Sequence, residues 1–284
     1  MKTKSYIIQS IGFLLIRTGT LIVITSLLTM IGYIIYKGYS ALSWEFFTGM
    51  PKNEMTGGGI YPAIIGTFYL MIGSSVVSVP VGVITAIYLT EYAKSPKIVK
   101  IIRLGINNLA GVPSVVFGLF GLSLFVIFFG FGTSVLAGSL TLGLLNLPVI
   151  IRSTEESLQV VPGTYREASL SLGATKWQTI YKIILPNALP GIMTGIMLSL
   201  GRAAGETAPV MFTAAAFFTP DLPVSMFNEI MALPYHIYVM ATAGTHIQAT
   251  RHIQYGSAIV LIGLVLILNM TGMIMRYRFR KHLR

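Results

Sequence analysis

RSTEESLQVVPGTYREASLSLGATKWQTIYKIIL, residues 152–185, is a polar island in a very apolar chain. It carries Glu155, Glu156, Glu167, Arg166, Lys176 and Lys182, and apolar runs flank it on both sides. Helix signals divide it. Ser153 is placed to cap a helix running to about Val161, which Pro162-Gly163 interrupts. Thr164 can cap a second helix, TYREASLSL, which Gly173 would end. Thr175 and Gln178 have the spacing of a capping box, in which each side chain satisfies a helix-terminal N–H. Pro186 marks the transition into the next apolar run. The expectation is a pair of short helices forming a docking platform for a cytoplasmic partner; composition alone equally allows a solvated connecting loop.

Outward from the island the chain reads as membrane. Of its 284 residues 54% are apolar and 10% charged, with mean hydropathy +0.76. A soluble domain carries about 25% charge. Six runs are long enough for a ~30 Å hydrocarbon core: 19–36, 63–89, 108–129, 135–151, 188–218 and 256–275. The fifth is over-long for one crossing. With both termini placed in the cytoplasm, all basic residues except Lys37, Lys52, Arg202 and Arg251 fall on the cytoplasmic side. The net charge of +11 is thus the positive-inside pattern rather than a nucleic-acid patch. The absence of cysteine excludes a disulfide framework and a thiolate metal site.

Residues 1–18 read as a cytoplasmic or interfacial lead-in. Basic residues before an apolar run also describe a signal peptide, but the run to Tyr36 exceeds the usual length and an uncleaved span is expected. Trp44, Phe46 and Phe47 read as interfacial aromatics. Thr56-Gly57-Gly58-Gly59 has the composition of an anion-binding nest, although a plain loop is the simpler reading. No lysine follows a glycine anywhere, so the chain has no Walker A motif; ATP, if used, binds elsewhere. Pro80 is placed to bend the second span, and Gly111-Val112-Pro113-Ser114 to interrupt the third. The outer segment 219–251 is long, contains Pro220, Pro223 and Pro234, and is expected to hold a short apolar helix near 227–233. His236, His246 and His252 lack metal-ligand spacing. The terminal RYRFRKHLR reads as an electrostatic anchor.

The chemically informative stretch is GRAAGETAP, 201–209. Arg202 lies about 24 Å along a helix from Pro186. A charge within the bilayer costs at least ~2.5 kcal/mol and should face the bundle interior or water. Arg202 and Glu206 stand four apart on one helix face, and Pro209 loosens the helix there. One reading is an internal ion pair that only holds helices together. In the other, the guanidinium offers parallel N–H donors to a phosphate oxygen pair. Glu206 then fixes Arg202 or accepts the proton of a partly protonated phosphate, and Thr207 adds a hydroxyl. Arg152 is a second candidate on the exit path, equally explained as an inner-face anchor.

Glu167-Ala168, Gly173-Ala174 and the run to Leu185-Pro186 resemble the EAA loop of ABC-importer permeases. Further stretches look like the PstA family, one of two permease subunits of phosphate-specific ABC importers: PVGVITAIYLTEY at 80–92, LAGVPSVVFGL at 109–119, NLPVIIRSTEESL at 146–158, GRAAGETAP, and MALPYHIY at 231–238. The resemblance implies an all-α integral membrane protein of six transmembrane helices, the type I ABC importer permease fold with cytoplasmic coupling helices. It implies one permease domain over 19–284, with coupling loop 152–185 and outer loop 219–251. Arg166, Glu167, Ala168, Gly173 and Ala174 would contact the ATPase; Arg202, Glu206, Thr207 and Arg152 would line the substrate path. The implied partners are a homologous permease (PstC), an ATPase dimer (PstB), an external phosphate-binding protein (PstS), phosphate and membrane lipid. ATP and Mg would be bound by the ATPase, no cofactor or metal by this chain, and the location would be the inner (cytoplasmic) membrane. Permeases for sulfate, phosphonate or molybdate and a secondary anion transporter are the alternatives. An intramembrane enzyme would need a nucleophile–base or metal constellation that the sequence lacks.

Overall fold

In the computed structural model, residues 2–52, 55–219, 221–243 and 247–282 are described; Pro220, His246 and Arg284 fall outside them. No proline occurs before Pro51, and α1 accordingly runs unbroken over Lys2–Gly38. The lead-in expected as a separate segment is therefore the first half of the first helix. Helix α2 (Trp44–Thr48) is capped by Ser43, whose side chain accepts the Phe46 N–H. A two-residue hairpin follows, β1 (Pro51–Lys52) against β2 (Gly57–Gly58). The amides of Gly59, Ile60 and Tyr61 donate to the Met50, Phe46 and Gly49 carbonyls, so the glycine run is a bonded turn and not an open nest.

Helix α3 (Tyr61–Ile87) has Pro62 in its first turn, where a missing N–H costs nothing, and passes Pro80 before widening into a π turn at Tyr88–Tyr92. Helix α4 (Pro96–Ala110) and the pair α5 (Ser114–Gly121) plus a π stretch at Leu122–Phe128 meet at 97°. The expected third span of 108–129 is thus corrected. Pro113 forces Val112 out of helix geometry, the interruption is a corner, and residues 108–110 belong to α4.

Helix α6 (Val135–Val160) starts at Ser134, whose side chain accepts the Ala137 N–H. It runs past Ser153, which does not cap: its hydroxyl donates back to the Ile150 carbonyl at 3.2 Å, and the helix continues until Val161-Pro162. Pro162, not Thr164, occupies the cap position of α7 (Gly163–Ser171). Gly173 ends the turn in a left-handed conformation, φ +84°, which glycine adopts without strain. The capping box of Thr175 and Gln178 opens α8 (Lys176–Thr179) with both hydrogen bonds made. A π stretch, Ile180–Ile184, joins it to α9 (Leu185–Gly205). The expected fifth span of 188–218 breaks after Gly205; only α10 (Ala208–Thr213) follows. The short helix expected at 227–233 is also displaced. Asn228 accepts the Ser225 N–H and closes a turn there, and Pro234 instead starts α11 (Leu233–Thr242). Helix α12 covers Ile247–His282.

Among the described residues, five helical stretches are long and apolar enough to cross a membrane: Gln9–Ala41, Tyr61–Tyr92, Val135–Val160, Lys176–Gly205 and Thr250–Phe279. The bent α4–α5 pair makes up to six. Helices α3, α6 and α9 form the centre. At the end carrying the island, hereafter the hairpin end, Leu89, Leu158, Ile180, Ile184 and Ile192 share one buried cluster. Toward the opposite end Phe46, Ile60, Ala203, Ala204, Met231 and Leu233 share another, and Leu70, Leu142, Val210 and Ile230 a third. The apolar window of α1 buries nothing in this bundle; its last turns alone meet α12, with Tyr33 edge-on to Tyr255 at 5.8 Å.

Candidate substrate path and coupling hairpin

The path begins with the packing of α6 on α9. A Cβ on Gly191 would lie 2.3 Å from Ser157 Oγ, and one on Gly195 1.7 Å from Ser153 Oγ. Only glycine allows these two backbones so close. The antiparallel register keeps the paired residue numbers in step, and continued for two more turns at the same rise it brings Arg202 to about the level of Asn146, near the middle of α6. Arg202 therefore sits deep within the bundle's length. It occupies the last turn of α9, where the carbonyl end of the helix dipole favours a cation.

Arg202 Nε donates to Glu206 Oε1 at 3.1 Å; the side chains are 37% and 14% exposed. The pair expected from the i, i+4 spacing is formed, but not within an unbroken helix. Glu206 is the C-cap with extended backbone, φ −75° and ψ 122°, and Pro209 has no N–H to offer the Gly205 carbonyl. Thr207 bridges α9 and α10; its carbonyl accepts the Met211 N–H at 2.9 Å, and its half-buried side chain makes no cap bond. Because Nε is taken by Glu206, the terminal nitrogens Nη1 and Nη2 are left without a protein partner among the described residues. That fork matches an oxyanion.

Two amides lie at about this level of the bundle that the sequence reading did not single out. Asn146 is buried and its Oδ1 has no hydrogen-bond partner among the described residues. Asn269 of α12 lies 3.9 Å from where a Cβ on Gly201 would stand. Intramembrane amides between apolar residues are the signal that could have found them. Arg152 lies apart, about 9 Å of helix rise from Asn146, exposed and paired with Glu156 at 3.6 Å. Near it a groove of about 630 Å³ opens between α6 and α9 at the hairpin end, lined by Ser153, Ser157, Asn187, Thr194, Leu198 and Arg276. Thr194, Leu198 and Arg202 share one face of α9 at four-residue spacing, so the groove leads toward Arg202.

The hairpin is built as a rigid piece with a bare tip. Ser169 and Thr179 hydroxyls meet at 2.9 Å and lock α7 to α8. Arg166 turns inward: Nε and Nη2 donate to Glu91 Oε1 at 3.1 and 2.8 Å, while Nη1 and Nη2 donate to the Val161 and Leu158 carbonyls. Lys176 Nζ donates to the Glu91 carbonyl and lies over the Tyr92 ring. Glu167, Ala168 and Gly173 are exposed and Ala174 is half-buried. Leu172 is 90% exposed, and Tyr165 and Trp177 also face out. A second clamp joins Arg103 of α4 to Glu155 of α6 at 3.1 Å. No group of three or more metal-ligating side chains occurs among the described residues.

Residues 78–284 match the family model described as "Binding-protein-dependent transport system inner membrane component". The chain is 37% identical over 265 residues to the phosphate transport system permease protein PstA of Mycobacterium leprae, covering 92% of this chain and 86% of that one. It is 35% identical over 262 residues to the probable ABC transporter permease protein YqgI of Bacillus subtilis, covering 88% and 89%. Among solved structures, a bacterial alginate ABC transporter superposes with TM-score 0.66 at 15% identity, over 93% of each chain. The inward-facing MetNI methionine ABC transporter superposes with TM-score 0.58 at 21% identity, over 78% of this chain and 94% of that one.

Proposed function

The chain belongs to the family of binding-protein-dependent transport system inner membrane components, and from that premise we propose that it is the PstA-type permease subunit of an ATP-driven phosphate importer. It would form half of the translocation path beside a homologous permease, with the hairpin end and both termini in the cytoplasm. An ATPase dimer would bind ATP and Mg, an external binding protein would deliver phosphate, and this chain would hydrolyse nothing. Residues Glu167, Ala168, Gly173 and Ala174 would face the ATPase. Arg166 has a different part, holding the hairpin to α3.

The observation that carries the reading is the Arg202 fork: a guanidinium oriented by Glu206 at a helix break deep in the bundle, with its two terminal nitrogens unspent. Phosphate accepts parallel N–H bonds from such a fork. Alternating access would move the fork between the two sides as the hairpin follows the ATPase. Glu206 would orient the guanidinium; its second oxygen would take the proton of a partly protonated phosphate, and the Asn146 amide oxygen would at most accept a hydrogen bond from a phosphate O–H. Thr207 and Arg152 would act on either side of that point.

The deciding experiment is co-purification with the ATPase subunit, followed by phosphate uptake in proteoliposomes. ATP-dependent, vanadate-sensitive uptake supports the proposal. Uptake by the isolated chain without ATP would overturn it in favour of a secondary transporter.

A further inference from the structure

Helix α4 has three distinct sides. At 100° per residue, Val99, Ile102, Arg103 and Ile106 form one sector and are the half-buried residues of the helix; Ile102 and Ile106 pack against the hairpin-end cluster. Ile98, Ile101 and Leu109 form a second sector, apolar and 58%, 69% and 40% exposed. Lys97, Lys100, Asn107 and Asn108 form a third, with Leu104 as its one apolar member, and all are exposed. Lys94 stands just before the helix. No residue of α4 is buried, and its axis stands at 97° to the α5 pair that follows.

A helix with one basic exposed side, one apolar exposed side and a third side packed on its own bundle has the character of a helix lying in a membrane surface. The basic side has no acid of its own to serve. Arg103 is already bound to Glu155, and among the described residues Lys94, Lys97 and Lys100 have no acidic partner. We propose that α4 lies in the leaflet surface at the hairpin end, with Ile98, Ile101 and Leu109 in the acyl region, and that Lys94, Lys97 and Lys100 select anionic phospholipid headgroups. Lysine stems of this length carry their charge from an apolar flank to the headgroup level. The site adjoins the coupling machinery directly, because residues 93–95 alone separate α4 from the π turn that carries Glu91. The inference rests on the functional reading only for which leaflet is meant.

The chain lacks cysteine, so single spin labels at Ile101→Cys and Asn107→Cys report on α4 without a background. The assembled complex is placed in nanodiscs of phosphatidylcholine, with and without phosphatidylglycerol. Oxygen should relax the label at 101 and a water-soluble nickel chelate the label at 107. Enrichment of phosphatidylglycerol around the complex, measured by competition with a fluorescent lipid, should fall on the order of fivefold per lysine removed in K94Q/K97Q/K100Q, and should persist in the Lys→Arg triple variant. A label at 101 reached by nickel, or shielded from both agents by a partner chain, overturns the proposal. So does an anionic preference that survives the glutamine triple in protein of unchanged thermal stability. Neither measurement uses phosphate uptake, so a failure of the transport assignment would leave this result interpretable.

Discussion

Arg166, on the first helix of the hairpin, binds the carboxylate of Glu91 at the end of α3 through two of its nitrogens, at 3.1 and 2.8 Å. Seventy-five residues of sequence separate them. The pair is sheltered, with side-chain exposures of 24% and 9%, and two backbone carbonyls take the rest of the guanidinium. Any displacement of the hairpin would therefore be passed to α3 as well as to the helices continuous with it.

Removing one member of such a pair leaves the other buried without a counter-charge, which costs about 3–5 kcal/mol. Glu91→Gln and Arg166→Met should each lower the thermal midpoint. At temperatures where the complex remains assembled, ATP hydrolysis should continue while phosphate uptake per ATP falls. The exchange Glu91→Arg with Arg166→Glu should recover part of both losses. A normal uptake-to-hydrolysis ratio in the single variants would show that α3 receives no motion through this contact.

Arg202→Lys keeps the charge but replaces a planar fork with a point charge. Uptake should fall at least tenfold while the variant still co-purifies with its partners. Loss of assembly instead would mark the pair as purely structural. Glu206→Gln should reduce phosphate uptake by loosening Arg202 and should relax discrimination against sulfate, which carries no proton at neutral pH. Competition between the two anions measures this.

Asn146 places an unpartnered amide oxygen among buried residues. An unmet acceptor of this kind costs about 1–3 kcal/mol, so Asn146→Leu should hold or raise thermal stability. Uptake should drop if the amide serves the anion at Arg202. An unchanged rate in a stabilised variant would remove Asn146 from the path.

His236 in α11 is enclosed, and burial lowers its pKa from 6.5 to about 4. The folded protein holds the ring neutral while the unfolded chain binds a proton below pH 6.5. Stability is thus unaffected above that pH and declines as pH falls toward 4. The loss amounts to about 2 kcal/mol at pH 5. Thermal unfolding at pH 7 and pH 5 should show this decline, and His236→Met should flatten it.

Gly66 of α3 meets the backbone where the outer segment returns. A Cβ there would stand 2.0 Å from the Met231 carbonyl oxygen, next to the bond from the Leu233 N–H to Thr67. Backbone cannot yield as a flexible side chain does, so Gly66→Ala should destabilise by about 1–3 kcal/mol, read from the shift of the thermal midpoint.

Composition was enough to place the chain in a membrane, because an excess of apolar residues has few other uses. The helix-ending glycine at 173 and the Thr175–Gln178 box were also legible, since both are local devices. Ser153 misled because a serine inside a helix can bond back to its own turn and leave the helix intact. Pro113 was recognised as a break, but the size of a bend is set by what the two arms pack against, which no local pattern states. Arg166 was read as facing a partner. The carboxylate that turns it inward lies in a different helix, and only tertiary structure joins them. Arg202 and Glu206 were found by charge and spacing; Asn146 was not, because a neutral amide carries no charge signal and its burial follows only from how α6 packs.

The first helix touches α12 only at its last turns, with Gly38 against the backbone of Tyr255 and Gly256. The apolar window of this helix is left uncovered by the rest of the chain, so within the bilayer its length answers to the thickness of the hydrocarbon rather than to the shape of a neighbour in this subunit. Exchanging one apolar residue for another there should pass unnoticed in any assay. Lengthening or shortening the apolar run should instead change the tilt at which this helix leaves the rest of the subunit.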